Sequence, residues 1–494
     1  MPISYPDIII MRIMICVEKE GARGMRLAGR RVIYTDYATV DASNVLDVLT
    51  YAMSIHMQNA QEINYLYWYE RNVQPILERK KEINGSITNR IVVNHANEIV
   101  SFKSGYLMGE PVQYVSYDST AESAEAVRKL NSYMFSEDKA CKDKELADWF
   151  HICGTSYRMC MPDLEGEEDE APFEIYTLDP RSAFVVYWSG LGNKPVMGVK
   201  YVTDRLGNTT YSCYTDKMYF EVRGNGLVKA EPHDIGRIPI VEYPLNSSRL
   251  GAFEIVITQL DALNTLESNR MDGVEQFIQS LLMLKNVDIN GDQFKELKEQ
   301  GGICVPADGD VKYLTQELNQ TQTQTLADSI YQEVLVICGM PNRNGGSMSD
   351  VRSVGSVIMR DGWQNAEARA KDTEHMFKAA EKQFLRIALG ILAKSKKINL
   401  KLSQIDIRFT RRNYENIQEK SQVLLTMLAS DQIAPRLAFE HCGMFPDPEV
   451  AYQMSQEYYE EQQKKAEREM LAAGQAGEEA TFEETSADGV NDDV

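Results

Sequence analysis

The chain has 494 residues, 43% hydrophobic and 25% charged, which is room for about three soluble domains of ordinary size. Its formal net charge of −21 argues against a tight nonspecific grip on nucleic acid, because such a grip needs many lysines and arginines facing phosphates. Eight cysteines, at positions 16, 141, 153, 160, 213, 304, 338 and 442, form no C-x-x-C pair, which is the usage of buried thiols in a reducing compartment.

Residues 1–58 are weakly patterned. Ile8 to Val17 is apolar, but it is too short to span a membrane, is interrupted by Arg12 and lacks a small-residue cleavage site. It reads as a strand or short helix. Gly21 to Gly29, with Arg23, Arg26, Arg30 and Arg31, lacks the lysine–hydroxyl pair of a phosphate-cradling loop. Asp41 to Met57 has helical character, with Asp41 or Ser43 as cap. Asn59 to Lys81 reads as a separate helix, closed by Asn84-Gly85-Ser86, in which Tyr65, Tyr67, Trp68 and Tyr69 are packing residues. The run from Asn89 to Ser104 reads as a buried helix ending at a glycine, and an extended segment fixed by Pro111 follows. Two amphipathic helices are predicted over Ala121 to Phe135 and Asp138 to Cys153.

From Ser156 the period changes to that of strands. These are expected at 157–161, 173–178, 184–188, 196–202, 211–214 and 217–223, with glycine-rich turns at 190–193 and 224–226. Ile238 to Pro244 is the last extended piece.

Helical spacing then returns through Phe253, Val256, Leu260 and Leu263, and on through Val274, Phe277, Leu281 and Leu284. Strand-like runs at 284–289 and 303–306 follow. A second helix carries Leu326, Ile330, Val334 and Ile337 on one face and stops at Gly339-Met340-Pro341. Asn342 to Asp350 is too rich in Asn, Gly and Ser to pack a core. The longest helix comes next, with a seam of Ala366, Ala370, Thr373, Phe377, Ala380, Phe384, Ile387 and Ile391 and exposed pairs Glu367–Lys371 and Glu374–Lys378. A strand at 405–411, a helix capped by Asn413 and running to about Ala429, another opened by Pro435 and a final charged helix from Pro448 to Met470 complete the chain. From Glu457 onward there are 12 acidic and 3 basic residues, and Ala472 to Val494 reads as a disordered, solvated tail.

No catalytic constellation stands out. G-x-x-x-x-G-K-[ST], H-E-x-x-H and G-x-S-x-G are all absent. His151, Cys153 and Cys160 fit no zinc spacing and read as buried structural residues, and Glu165 to Glu170 reads as a solvated hairpin tip rather than a cation site. No enzyme activity, metal or cofactor is expected.

The segment NRIVVNHANEIVSFKSGYLMGEPVQYVS at 89–116 resembles a signature of bacteriophage portal proteins, with its Gly-Tyr-x-x-Gly-x-Pro-Val turn. The resemblance extends to Leu178-Asp179-Pro180-Arg181, to the run from Arg237 to Tyr243, and to the run from Gln259 to Asn269, and it covers about residues 60–460. The chain departs from the family at Ser353-Val354-Gly355-Ser356, where a Ser-Gly step is common, and residues 1–58 match nothing in it.

The resemblance is to the portals of tailed double-stranded DNA phages, of the kind typical of Gram-positive hosts. It implies an α+β, mostly helical portal fold with wing, stem, clip and crown regions that assembles as a ring. The implied divisions are an N-terminal extension over 1–58, a wing over 59–250, a first stem helix over 251–280 and a clip over 281–318. A second stem helix follows over 319–341, then a tunnel loop over 342–353, a long helix and wing strand over 354–412, a helical crown over 413–470 and an acidic tail over 471–494.

The implied function is a conduit at one capsid vertex through which DNA is packaged and ejected, assembled in the host cytoplasm as a ring of about twelve subunits. The tunnel-loop residues are Asn342, Arg343, Asn344, Gly345, Gly346, Ser347, Met348, Ser349 and Arg352, and their contacts with double-stranded DNA are transient and nonspecific. Lys285, Lys295, Lys298 and Lys312 are the clip residues expected to dock partners. The implied partners are the terminase large subunit, a major capsid or scaffolding protein and a head–tail connector, with no membrane. The alternative is a non-enzymatic helical interaction scaffold, monomeric or of low order.

Overall fold

The computed structural model describes residues 27–81, 87–117, 120–163, 170–224, 226–278, 281–285, 310–314, 320–341, 362–395, 398–410, 417–445 and 448–487. The expected elements at Ile8–Val17, 286–289 and 303–306, and all of Glu165–Glu170 but its last residue, lie outside these residues.

Strand β1 (Ile33–Thr35) leads into helix α1 (Val45–Glu70). The break expected near residue 58 is absent, and one helix of 26 residues runs through it. Its buried face is apolar at Val45, Val48, Leu49 and Ala52, turns polar at His56, Asn59 and Glu62, and is apolar again at Ile63, Leu66 and Tyr69. The polar middle imitates a helix end in the sequence. Its groups find partners inside the chain: Asn59 bonds both backbone groups of Arg31, and Glu62 forms ion pairs with Arg31 at 2.8 Å and Arg30 at 3.3 Å. Residues 27–58 are therefore built into the body. β1 joins the large sheet by pairing parallel with a later strand.

The run 89–94 is extended rather than helical, and helix α2 spans His95–Met108, with Asn94 accepting from the Asn97 N–H as its cap. β2 (Gln113–Ser116), α3 (Ala121–Ser136) and α4 (Lys139–Cys153) follow. α4 closes at Gly154, whose φ is 83°. A Cβ there would also sit 1.9 Å from the Arg249 carbonyl oxygen, so both conformation and space demand glycine.

The strand region contains β3 (Thr155–Pro162), β4 (Phe173–Leu178), β5 (Ala183–Trp188), β6 (Pro195–Thr203), β7 (Thr209–Tyr214), β8 (Met218–Arg223), β9 (Gly226–Pro232) and β10 (Ile240–Pro244). They form a six-stranded sheet of order β1-β5-β6-β7-β8-β9 and a three-stranded sheet of order β10-β3-β4. β9 has no alternating apolar pattern and is exposed almost throughout, so its pairing with β8 was not legible beforehand.

Helix α5 (Ile257–Ile278) and α6 (Gln320–Cys338) are joined through the antiparallel pair β11 (Leu281–Lys285) and β12 (Asp310–Leu314). Leu281 and Leu284 thus belong to a strand rather than to the preceding helix. A short apolar run fits either period. Helix α7 (Trp363–Lys394) packs on the three-stranded sheet, and β13 (Ile405–Arg408) pairs with β2. The helices α8 (Ile417–Leu428), α9 (Pro435–His441) and α10 (Pro448–Ala487) end the described chain. α10 continues to Ala487, through most of the stretch read as a disordered tail. Its Ala, Glu and Gln content is poor for burial but good for helix.

Three apolar cores result. One lies between α1 and the large sheet, a second between α3, α4, the small sheet and α7, and a third where α1, α2, the start of α5 and the end of α6 meet. The mixed helix-and-strand architecture agrees with the expected α+β class.

Candidate functional site

The α5–α6 pair is planted on the body by its base. Glu254, just before α5, accepts from the Gly251 N–H at 2.8 Å and pairs with the buried Arg30 guanidinium. This is the structural use of the Gly/Arg stretch near residue 30. Phe253, Val256, Leu260 and Leu263 bury as the periodicity predicts, with Phe253 stacked on Tyr69 at 5.7 Å. The aromatic cluster of α1 is packing, as expected: Tyr67 stacks on Trp149 at 5.3 Å.

Above Leu263 the buried face of α5 turns polar. Asn264, Ser268 and Asp272, four residues apart, are all buried. They accept the backbone N–H groups of Val93 at 2.8 Å, Ile91 at 2.9 Å and Asn89 at 2.7 Å. The two repeats match: four helical residues rise about 6 Å, and two extended residues advance about 6.7 Å. This ladder explains why 89–94 is extended. Its donors go to the side chains of a helix rather than to a helical backbone.

At the other end, α6 stops at Gly339 (φ 67°), Met340 and Pro341. A side chain placed at Gly362, where α7 begins, would lie 3.8 Å from the Pro341 Cα. The 20 residues from 342 to 361 therefore leave and return at one place. Both anchors rest on one face of α2, at residues 95, 98, 102 and 106. His95 stacks on Tyr331 of α6 at 4.3 Å, and Tyr331 donates to Glu98 at 2.9 Å. Phe102 packs on Trp363, and Tyr106 donates to Glu367 of α7 at 2.8 Å. Their 3-4-4 spacing is the one signal the sequence carries for this shared face.

Of the expected docking lysines, Lys285 lies in β11 opposite Asp310, and Lys312 lies in β12 opposite Met283. Lys295 and Lys298 lie outside the described residues. So do all the tunnel-loop residues: Asn342, Arg343, Asn344, Gly345, Gly346, Ser347, Met348, Ser349 and Arg352.

On α6 the buried face is Ala327, Val334, Leu335 and Cys338, while Leu326 and Ile337 are exposed. The predicted face of Leu326, Ile330, Val334 and Ile337 is thus rotated from the one that packs. Both faces are apolar, so periodicity alone could not choose between them.

His151, Cys153 and Cys160 are buried. The His151 Nδ1 sits 3.1 Å from the Ser104 hydroxyl, and the Cys153 thiol donates to the Thr155 carbonyl. Burial pushes the His151 imidazole down to about 3, with Lys103 adding to the shift, and burial pushes the Cys153 thiol up to about 12. Among the described residues no group of His, Cys, Asp and Glu is arranged to hold a metal ion, and no helix is long and apolar enough to cross a membrane.

Comparison with known proteins agrees with the resemblance carried by residues 89–116. The family described as "Phage portal protein, SPP1 Gp6-like" matches residues 50–469. The portal protein of Bacillus phage SPP1 is 22% identical over 376 residues, covering 71% of this chain and 72% of that protein. A solved structure described as the neck of an empty GTA particle, computed with C6 symmetry, overlaps 71% of this chain and 90% of its own at 11% identity, with a TM-score of 0.43. The chain belongs to the SPP1 Gp6-like family of phage portal proteins, the components through which viral DNA is packaged and ejected.

Proposed function

We propose that the chain assembles into a ring of about twelve copies at one capsid vertex, with DNA passing through the centre. In this reading α5 and α6 are the stem, and β11 and β12 with the segment between them are the clip. The large and small sheets with their helices are the wing, and α8 to α10 are the crown. Residues 342–353 form the tunnel loop. The clip, with Lys285, Lys295, Lys298 and Lys312, docks the terminase large subunit during filling and a head–tail connector afterwards. The outer surface meets the major capsid or scaffolding protein.

The observation that supports the loop's role is the adjacency of Pro341 and Gly362. The two flanking helices are thereby held at a common point, which is the fixed base that this role requires. An acidic chain suits the task, since a channel that bound DNA tightly would stall it. A monomeric scaffold is not favoured by the family match.

Trimming the loop between Asn342 and Ser353 is expected to leave rings intact and to lower DNA packaging or retention. Loss of the ring on trimming would show that these residues build the assembly rather than serve the channel.

A further inference from the structure

We propose that the seam between α5 and the extended strap at 87–94 is a releasable clasp, which lets the distal half of the helix pair tilt away from the body. Three observations carry this. First, the last apolar residue that α5 buries is Leu263. Beyond it, as far as residue 275, its buried side chains are Asn264, Ser268 and Asp272, all polar. Second, the strap's one buried side chain is Ile87 at its start, and among the described residues no strap residue belongs to any of the three apolar cores. Third, the distal end of the seam is ionic. Asp272 takes Lys81 at 2.5 Å and Arg79 at 3.2 Å, and Asn89 donates to it from both its backbone and its side chain.

A seam made this way opens differently from a core. Separating apolar faces costs in proportion to the area exposed to water. Separating this ladder exchanges protein hydrogen bonds for water hydrogen bonds, and the net cost of that exchange is small. Leu260 and Leu263 stay packed and act as the fulcrum. The part that moves is the α5 segment beyond Leu263, with β11 continuing from it. The clasp is closed in this structure, and opening it leaves the apolar cores untouched. The seam also has a direction: it is neutral at Asn264, next to the fulcrum, and charged at Asp272, so it unlatches from the charged end as salt screens the ion pairs.

Amide hydrogen exchange of the purified full-length protein tests this, and it reads the chain whether or not the portal reading holds. The amides of Asn89, Ile91 and Val93 are expected to exchange at least ~100-fold faster than that of the core residue Phe150, the behaviour of a sub-global opening. Raising salt is expected to speed Asn89 more than Val93. Ser268→Ala is expected to speed Ile91 about tenfold and to leave Phe150 unchanged. Exchange of the three strap amides in step with Phe150, in either the wild type or Ser268→Ala, would overturn the proposal by making the seam part of the cooperative core. A second variant, Asp272→Asn, keeps an oxygen to accept from Asn89 but loses the charge that holds Lys81 and Arg79. If it leaves the salt response of Asn89 unaltered, the ionic end is not the latch.

Discussion

Arg158 in β3 and Glu381 in α7 form an ion pair 3.2 Å apart with neither side chain exposed. Lys139 reaches the other Glu381 oxygen at 2.9 Å, Tyr243 and Tyr114 donate their hydroxyls to the carboxylate, and Asp143 balances the two cations. Burial alone would raise the Glu381 carboxyl. Lys139, Arg158 and the two tyrosine hydroxyls outweigh it and hold the group below the usual carboxylate range. The cluster ties α7 to α4 and the small sheet, and so fixes α7 on the body. Glu381→Leu leaves two buried cations with one partner and is expected to cost about 3–5 kcal/mol, read as a lower urea midpoint at unchanged slope.

Mild acid should weaken the body around α1 and α4. His56 lies in the polar middle of α1, stacked on Phe184 at 4.4 Å, and burial pushes it down to about 4. His151 is pushed down to about 3. Both stay neutral in the folded chain, while the unfolded chain protonates them near pH 6.5. Stability therefore falls as pH drops from about 6.5 towards 4, by an amount on the order of 3 kcal/mol for each histidine. Unfolding of His56→Gln across this range should show a shallower slope than the wild type.

Gly154→Ala should destabilise the body by at least about 2 kcal/mol, because a positive φ and a backbone contact penalise the same methyl group. Gly192→Ala is the comparison. It too has a positive φ but open space around it, so thermal melting should show it losing clearly less.

Charge at the loop should matter more than charge at the tail. Arg352→Glu is expected to lower packaging yield more than deletion of 472–494. The opposite ranking in a packaging assay would give the tail a function of its own.

Several elements were legible because one period ruled them. β4 was expected over Phe173–Leu178, where it is found, and the Glu374–Lys378 pair forms at 2.6 Å. Elements were missed where polar residues are buried. His56, Asn59 and Glu62 made one helix look like two, and Asn89 to Asn94 looked helical because the acceptors for its amides lie some 175 residues away, on Asn264, Ser268 and Asp272. Glu381 carries no local signal of burial, since it sits in a helix whose Glu367 and Glu374 pair with lysines four residues on. Arg158 did carry one, as a lone charge inside the apolar strand β3.

The measurement that bears most directly on the central claim is electron microscopy of the purified protein together with its native mass. A ring with a central hole and a mass of about twelve times 56.0 kDa is expected. A chain that stays monomeric, even when co-expressed with its capsid protein, would contradict it.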